Sequence, residues 1–259
     1  MQYSISVSNI NKVDAYEIKC SLNKLNDVLD YLKTHSNKRC NIILKDSEIP
    51  QYFYEQINLI KAVAPNYTIA VNNFKILEKL LKENYNAYLA YPINDWETFM
   101  NLKELGVSDI IIDGALGFQM ERIKQAKENI NIRVSPTISL NATLAPSDSP
   151  NEYSFFIRPE DLHLYEDYID IIDFQASTAV QEKAYFDIYN RGYYDYDLSI
   201  LVPHLHCKVP NPLISSKLFA ANRLNCEQKC KIPGKRFCSS CLTHFEIAKD
   251  LYSSLMKNN

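Results

Sequence analysis

The sequence predicts an α/β protein with a (βα)8 TIM-barrel-like fold and a C-terminal cysteine-rich cap. Short apolar runs typical of β-strands alternate with helical patterns over residues 41–202. Successive strand-like runs are spaced by roughly 20–25 residues, which is typical of parallel βα units. A chain of 259 residues has the size of one such barrel, and we therefore expect residues 1–259 to form a single domain.

Residues 1–40 are expected to lie outside the barrel. Residues 3–7 and 15–20 are two strand-like runs, and the short polar segment between them is compatible with a hairpin. Residues 21–36 follow with leucines and a valine at helical spacing. If the run at 15–20 instead opens the barrel, the last strand becomes extra, so the sequence leaves the register of the barrel open.

The barrel core is expected over residues 41–202. An open, doubly wound sheet is the rival architecture, but this many successive βα units favour closure. Asp95 is the expected N-cap and Gly106 the expected C-cap of one of the intervening helices. The eight strand-like runs of the core are 41–45, 67–71, 87–91, 109–113, 131–135, 153–157, 169–173 and 197–202.

A long loop interrupts this alternation at residues 136–152, where a helix would be expected. Pro136, Pro146 and Pro150 and the high Ser and Asn content are unfavourable for regular structure. The loop follows the C-terminal end of a strand, which is the active face of a (βα)8 barrel. It is therefore interpreted either as a lid or binding loop or as a solvated insertion.

The C-terminal part, residues 203–259, is expected to form a metal-binding cap that ends in an amphipathic helix. Four thiolates so close together, interspersed with lysines, are poor core material, and they are typical ligands of one metal centre. A tetrahedral Zn²⁺ and a [4Fe–4S] cluster each accept four thiolates, so both remain open. An all-cysteine centre has no open coordination position, which favours a structural or electron-transfer role. The four candidate ligands have the spacing C-x3-C-x7-C-x2-C and are Cys226, Cys230, Cys238 and Cys241.

Polar residues after the strand-like runs are the candidates for catalysis. Asp113 and Asp173 each end an apolar run, where a carboxylate acts as a base or ligand, or else caps the next helix. Arg158 is a candidate anion clamp. His204 and His206 point the same way on an extended segment, which suits acid–base chemistry or metal binding as well as local hydrogen bonding. The C-terminal ends of the barrel strands would bring these side chains to one pocket.

Composition and charge limit the classes of partner. The formal net charge of −3 gives no overall attraction to nucleic acid or to an anionic membrane, although basic residues near the cysteines keep RNA binding as a minority hypothesis. No long apolar run and no secretory signal are visible, so we expect no membrane association and a cytoplasmic location. In a reducing compartment, Cys20 and Cys40 are expected to be core thiols rather than disulfide partners. A protein partner remains possible.

Residues 155–175, FFIRPEDLHLYEDYIDIIDFQ, resemble the U32 peptidase-like family. In that family a strand leads into a Ser/Arg-Pro-x-Asp-Leu turn, a short helix, and a strand that ends in a charged Lys-Ile-Glu-Gly-Arg motif. The turn is matched here by residues 158–162, whereas the strand ends with Asp173-Phe174-Gln175 and lacks the charged motif. The family's cysteines are also more dispersed. The resemblance implies a barrel-like fold, a [4Fe–4S] cluster, and hydroxylation or related chemistry on RNA or a small molecule.

Two hypotheses for the function follow, beside a third in which the chain is a metal-free scaffold and the four thiols lie far apart. The first is an iron–sulfur enzyme or accessory protein of the U32-like type, acting on RNA or a small molecule at the barrel mouth. The second is a non-catalytic binding or assembly protein in which a structural Zn²⁺ fastens the C-terminal cap to the barrel. An acid–base pocket beside the metal centre favours the first, and a filled barrel with a closed metal site favours the second.

Overall fold

Eight parallel strands form one nearly closed barrel in the computed structural model. The structure describes residues 1–45, 48–112, 116, 119–135, 159–174, 176 and 178–192. Neighbouring strands pair in parallel throughout the order β5-β4-β3-β2-β1-β8-β7-β6. The strands are β1 (Gln2–Ser6), β2 (Glu17–Ser21), β3 (Arg39–Leu44), β4 (Tyr67–Val71), β5 (Ala87–Leu89), β6 (Asp109–Ile111), β7 (Asn131–Val134) and β8 (Ile171–Asp173).

Hydrogen bonds between β5 and β6 bring the two edges of this sheet together. The amide of Ser108 donates to the carbonyl of Ala87 at 3.1 Å, and the amide of Ile93 donates to the carbonyl of Ile111 at 2.9 Å. A further parallel bridge joins Ile93 to Ile112. The edge groups that an open sheet would expose are therefore paired, and the predicted (βα)8 TIM-barrel-like fold is confirmed.

Helices follow the strands in the βα order that the sequence predicts. The described residues also include the short 3-10 helices Val7–Asn9, Leu22–Lys24 and Pro159–Tyr165. The α-helices are α1 (Leu25–Thr34), α2 (Phe53–Val63), α3 (Phe74–Lys82), α4 (Trp96–Glu104), α5 (Met120–Ala126) and α6 (Ala179–Arg191).

Side-chain caps define where several of these helices begin. Asp95 accepts a hydrogen bond from the amide of Thr98 at 2.8 Å, so the predicted N-cap of α4 is confirmed. Asn73 and Thr178 cap α3 and α6 in the same way. Gly106 has a φ of +78° and lies just after the end of α4, as expected for the left-handed residue that ends a helix.

The N-terminal strands belong to the barrel, which corrects the expectation that residues 1–40 lie outside it. β1 pairs in parallel with both β2 and β8, so β1 and β2 do not form a hairpin. Both faces of β2 are enclosed: Ile18 and Cys20 are buried in the apolar core, while Glu17 takes part in buried polar contacts. Strands enclosed on both faces are typical of a parallel barrel. The expected strands at 153–157 and 197–202, the loop at 136–152 and the cap at 203–259 lie outside the described residues.

One apolar core surrounds the sheet, and it contains residues from most of the described strands and helices. Cys20 and Cys40 belong to it, with their sulfur atoms 3.9 Å apart and both thiols free. The contact with Cys20 and burial raise the pKa of Cys40. The prediction that these two cysteines are core thiols is confirmed.

Candidate functional site

The interior of the barrel is lined by charged side chains. Barrel interiors are usually filled by Val, Ile and Leu, and buried charges are tolerated when they are paired. Residues on alternate positions of a strand face the same side, so Glu17 and Lys19 on β2 share one face. Six residues form what we call the interior network, namely Glu17, Lys19, Arg39, Asp109, Arg133 and Asp173.

Arg133 lies at the centre of the interior network. Its guanidinium donates two hydrogen bonds to the carboxylate of Glu17, and the bond to Oε2 is 2.9 Å long. It also donates to Asp109 at 3.1 Å and to Asp173 at 3.3 Å, and the ring of Tyr88 lies 4.9 Å away. The side chain is fully buried, so these partners replace the water that an exposed arginine would bind.

Arg39 completes the network on the side where the strands begin. It forms a two-pronged ion pair with Asp109, with bonds of 2.8 and 2.6 Å. Glu17 accepts further hydrogen bonds from Ser4 at 2.5 Å and from Asn41 at 3.0 Å. Every carboxylate in this part of the barrel therefore has at least one cationic partner and additional donors.

The charges of the network shift the pKa values of its members. Burial alone would raise the pKa of Glu17, but Arg133, Arg39 and Ser4 outweigh it and lower that pKa to about 2. Burial likewise opposes the charge of Arg133, yet the carboxylate of Glu17 raises the pKa of the guanidinium further above its ordinary value. Burial raises the pKa of Tyr88. Glu17 and Arg133 are thus a permanent ion pair near neutral pH.

Lys19 is the member of the network closest to the barrel mouth, by which we mean the end where the strands finish. Its ammonium donates to the carboxylate of Asp173 at 2.6 Å and to the carbonyl of Phe174 at 3.1 Å. A carboxylate oxygen of Glu182 lies 3.4 Å from it. Burial alone would lower the pKa of Lys19, but Asp173 and Glu182 raise it above its ordinary value, so the amine is protonated near neutral pH.

Glu182 reaches the mouth from the first turn of α6. Its carboxylate accepts hydrogen bonds from the amide of Ser6 at 2.9 and 3.0 Å, from the hydroxyl of Ser6 at 2.6 Å, and from Asn9 at 2.8 Å. A carboxylate near a helix N-terminus is also favoured by the helix dipole. Glu182 therefore joins the last described helix to the first strand and, at the same time, faces Lys19.

Lys19, Asp173 and Glu182 form what we call the mouth cluster. About an eighth of the Lys19 and Asp173 side chains is exposed. A protonated lysine stabilises negative charge that develops on a substrate, and a neighbouring carboxylate accepts a proton. Ser135 follows β7 beside Asp173 in the sheet register, and its buried hydroxyl has no hydrogen-bond partner in the described part of the chain.

Of the predicted site residues, Asp173 is the one that the structure describes, and it lies at the barrel mouth, where the sequence predicted it. The others, Asp113, Arg158, His204, His206, Cys226, Cys230, Cys238 and Cys241, lie outside the described residues. Within the described ranges, no group of three or more His, Cys, Asp or Glu side chains is arranged to hold a metal ion. The metal prediction thus depends on the C-terminal cysteines.

Lys19 and Glu182 were not predicted from the sequence. For Lys19 a signal existed, because charged residues at alternate positions of Glu17-Ile18-Lys19-Cys20 indicate a strand with a charged inner face. Arg133 gives a comparable signal, because it is a charged residue between two apolar residues in the strand-like run NIRVS. Glu182 carried no comparable signal, since an acidic residue in the first turn of a helix is usually a solvated charge.

Comparison with protein-family models, curated proteins and solved structures finds no match to this chain. The resemblance to the U32 peptidase-like family accordingly stays a prediction. None of the helices in the described part of the chain combines the length and the apolar character needed to cross a membrane.

Proposed function

We propose that this protein is a (βα)8-barrel enzyme whose reaction centre is the mouth cluster and whose C-terminal cysteines bind a [4Fe–4S] cluster. The substrate would be a small molecule or a nucleotide of RNA, as the U32-like resemblance implies. A cytoplasmic location belongs to the same proposal, because a reducing compartment keeps the four cysteines available as ligands.

The observation that carries this proposal is a protonated lysine between two carboxylates at the active face of the barrel. Lys19, Asp173 and Glu182 come from β2, β8 and α6, and such convergence from separate elements is typical of catalytic centres in this fold. Lys19 would donate a hydrogen bond to negative charge on the substrate, and Asp173 would accept a proton. Glu182 is already held by Ser6 and Asn9, so its role is to position Lys19.

The donor set supports the metal part of the proposal. Four cysteine thiolates satisfy a [4Fe–4S] cluster without any other ligand. When bound, such a cluster supplies one-electron transfer. Asp113, Arg158, His204 and His206 remain proposed partners of the mouth cluster.

A non-catalytic binding or assembly protein with a structural Zn²⁺ is the second candidate. The observation that favours it is the pairing of Lys19, whose ammonium donates to Asp173 and Phe174 and lies 3.4 Å from a carboxylate oxygen of Glu182. A lysine paired in this way stabilises the barrel whether or not a substrate binds. The two candidates differ in the metal they contain and in the consequence of replacing Lys19.

Metal analysis with an absorption spectrum tests the first difference on protein purified without oxygen. Iron with sulfide and a broad band near roughly 400 nm, lost in Cys226→Ser/Cys230→Ser, is the expected result. The matched control is Cys20→Ala, which removes a core thiol and should leave the band intact. A colourless protein with one Zn²⁺ per chain would overturn the iron–sulfur assignment, and a metal-free protein would overturn both metal assignments.

Replacement of Lys19 tests the second difference. The wild-type protein is incubated with a small-molecule extract and, separately, with total RNA, and products are followed by mass spectrometry. At least one product should form with wild type and with Lys33→Met, an exposed control on α1, and should disappear with Lys19→Met. Circular dichroism verifies that Lys19→Met is folded. Product formation that survives in a folded Lys19→Met protein, or no product from either pool, would overturn the proposed reaction centre.

A further inference from the structure

The opposite end of the barrel contains a cavity that the proposed function does not use. We call it the basal cavity, and its volume is about 470 Å³. Pockets that hold small molecules range over about 300–1,000 Å³. It is lined at the ends where the strands begin by residues that include Tyr16, Arg39, Asn66, Asn86, Asn129 and Asn131.

Uncharged hydrogen-bonding groups dominate this lining. A carboxamide offers both donors and an acceptor, and Asn66, Asn86 and Asn129 are exposed at the cavity. Asn66 also donates to the hydroxyl of Tyr16 at 2.9 Å, which orients both groups. The cavity therefore presents donors and acceptors side by side, an arrangement that complements hydroxyl groups.

Arg39 forms part of the wall of the cavity. Its side chain is only 5% exposed, and its two terminal nitrogens bind Asp109. The remaining nitrogen, Nε, is buried and has no hydrogen-bond partner in the part of the chain that the structure describes. This nitrogen is closed off from the cavity, so the asparagine carboxamides are the groups that a ligand reaches.

The charged residues around the basal cavity are already paired. Arg39 pairs with Asp109. Lys103 pairs with Glu128 at 3.1 Å, and Lys127 pairs with Asp170 at 3.0 Å. Helices α2, α3, α4 and α5 end just before this face, and helix C-termini carry partial negative charge. Paired cations beside helix C-termini disfavour an anionic ligand.

We propose that the basal cavity binds a neutral polyhydroxylated molecule of monosaccharide size. Its hydroxyls would exchange hydrogen bonds with the carboxamides of Asn86 and Asn129. The site lies at the far end of the barrel from the mouth cluster, so it is separate from the proposed reaction centre and does not depend on it.

Ligand-observed NMR titrations of the full chain test this site, with D-glucose and D-ribose as probes and inorganic phosphate as the anionic comparison. At least one of the two sugars should bind saturably, and the double variant Asn86→Ala/Asn129→Ala should bind it about tenfold more weakly because two hydrogen-bonding partners are lost. Both side chains are exposed, so the variant should stay folded. Asn101→Ala, an exposed asparagine on α4, is the matched control and should bind as wild type does.

Three results would overturn the proposal. They are the absence of saturable binding by both sugars, equal sugar affinity in the wild type and the double variant, and saturable binding of phosphate in place of the sugars. Glu182→Ala should leave sugar binding unchanged, since Glu182 belongs to the mouth cluster and not to the interior network that contains Arg39. Loss of binding in that variant would contradict the independence of the two ends.

Discussion

Replacing Arg133 by methionine should destabilise the barrel more than any surface substitution. Met has a similar length but no charge, so the variant leaves the fully buried carboxylates of Glu17 and Asp109 without their central partner. Removing one member of a buried ion pair costs about 3–5 kcal/mol. That is a large share of the total stability of a folded domain, which is about 5–15 kcal/mol.

Urea denaturation followed by far-UV circular dichroism measures this cost. With a urea dependence of about 2–3 kcal/mol per molar, the unfolding midpoint of Arg133→Met should fall by about 1–2 M. Lys33→Met is the control, because Lys33 and its partner Asp30 are largely exposed and the pair should contribute little. In the double variant Glu17→Gln/Arg133→Met, the loss should be smaller than the sum of the two single losses, since each single variant already removes the ion pair between the two residues.

Two outcomes would refute the reasoning. The first is a loss of less than about 1 kcal/mol in Arg133→Met, which is the size of an ordinary substitution. The second is strict additivity in the double variant, because independent effects would mean that Glu17 and Arg133 do not stabilise each other. Either result would show that the guanidinium of Arg133 does not stabilise the buried carboxylates beside it.

Three further predictions concern pH, the mouth and the core thiols. Because the pKa of Glu17 is lowered from its ordinary value of 4.5 to about 2, its contribution is complete above about pH 4.5 and is lost as the pH falls toward 2. The contribution is about 3 kcal/mol, and urea melts of wild type and Glu17→Gln across this range should converge at the acid end. Glu182→Ala should speed hydrogen exchange at the amide of Ser6, which loses its acceptor, and unchanged exchange would contradict that bond. Cys20 and Cys40 should resist alkylation by iodoacetamide in the folded protein and react in urea, and rapid labelling of the native protein would contradict their burial.

The alternation of strands and helices was sufficient to predict the barrel. The run at 67–71 coincides with β4, and the expected strand at 41–45 overlaps β3 at Arg39–Leu44. Such runs are visible because strands that face helices on one side carry apolar residues at alternate positions. The described sheet has eight strands, but they include β1 and β2, whereas the expected strands at 153–157 and 197–202 lie outside the described residues.

The misplacement of β1 and β2 has a physical origin. Ser4, Glu17 and Lys19 give these strands polar residues on one face, which is typical of a sheet that faces water. In the structure that face points to the barrel interior, where charges from distant strands satisfy it. Local sequence does not show which partner a charged strand residue will meet, so the register could not be fixed in advance.

The candidate site also depends on contacts between distant residues, which local sequence does not show. Asp173 was predicted because it ends an apolar run, a local feature of the sequence. Its partner Lys19 is 154 positions away, and the contact of Glu182 with Ser6 spans 176 positions. These pairings follow from the barrel topology, in which β1 lies between β2 and β8, and α6 follows β8 as the last described helix.

The interior network also explains why one register is specified. Shifting a strand by one residue would turn every side chain to the opposite face, so Glu17 on β2 or Arg133 on β7 would enter the apolar layer while isoleucines replaced them inside. A buried charge without a partner costs several kcal/mol. Each such shift is therefore disfavoured twice, because one charge enters the apolar layer and the charges left in the interior lose a partner. Because Lys19 and Asp173 belong to the same network, the register that satisfies the interior also fixes the two groups at the barrel mouth. A lysine and a carboxylate held in this way need little reorganisation when a substrate arrives, which is the property that a reaction centre requires.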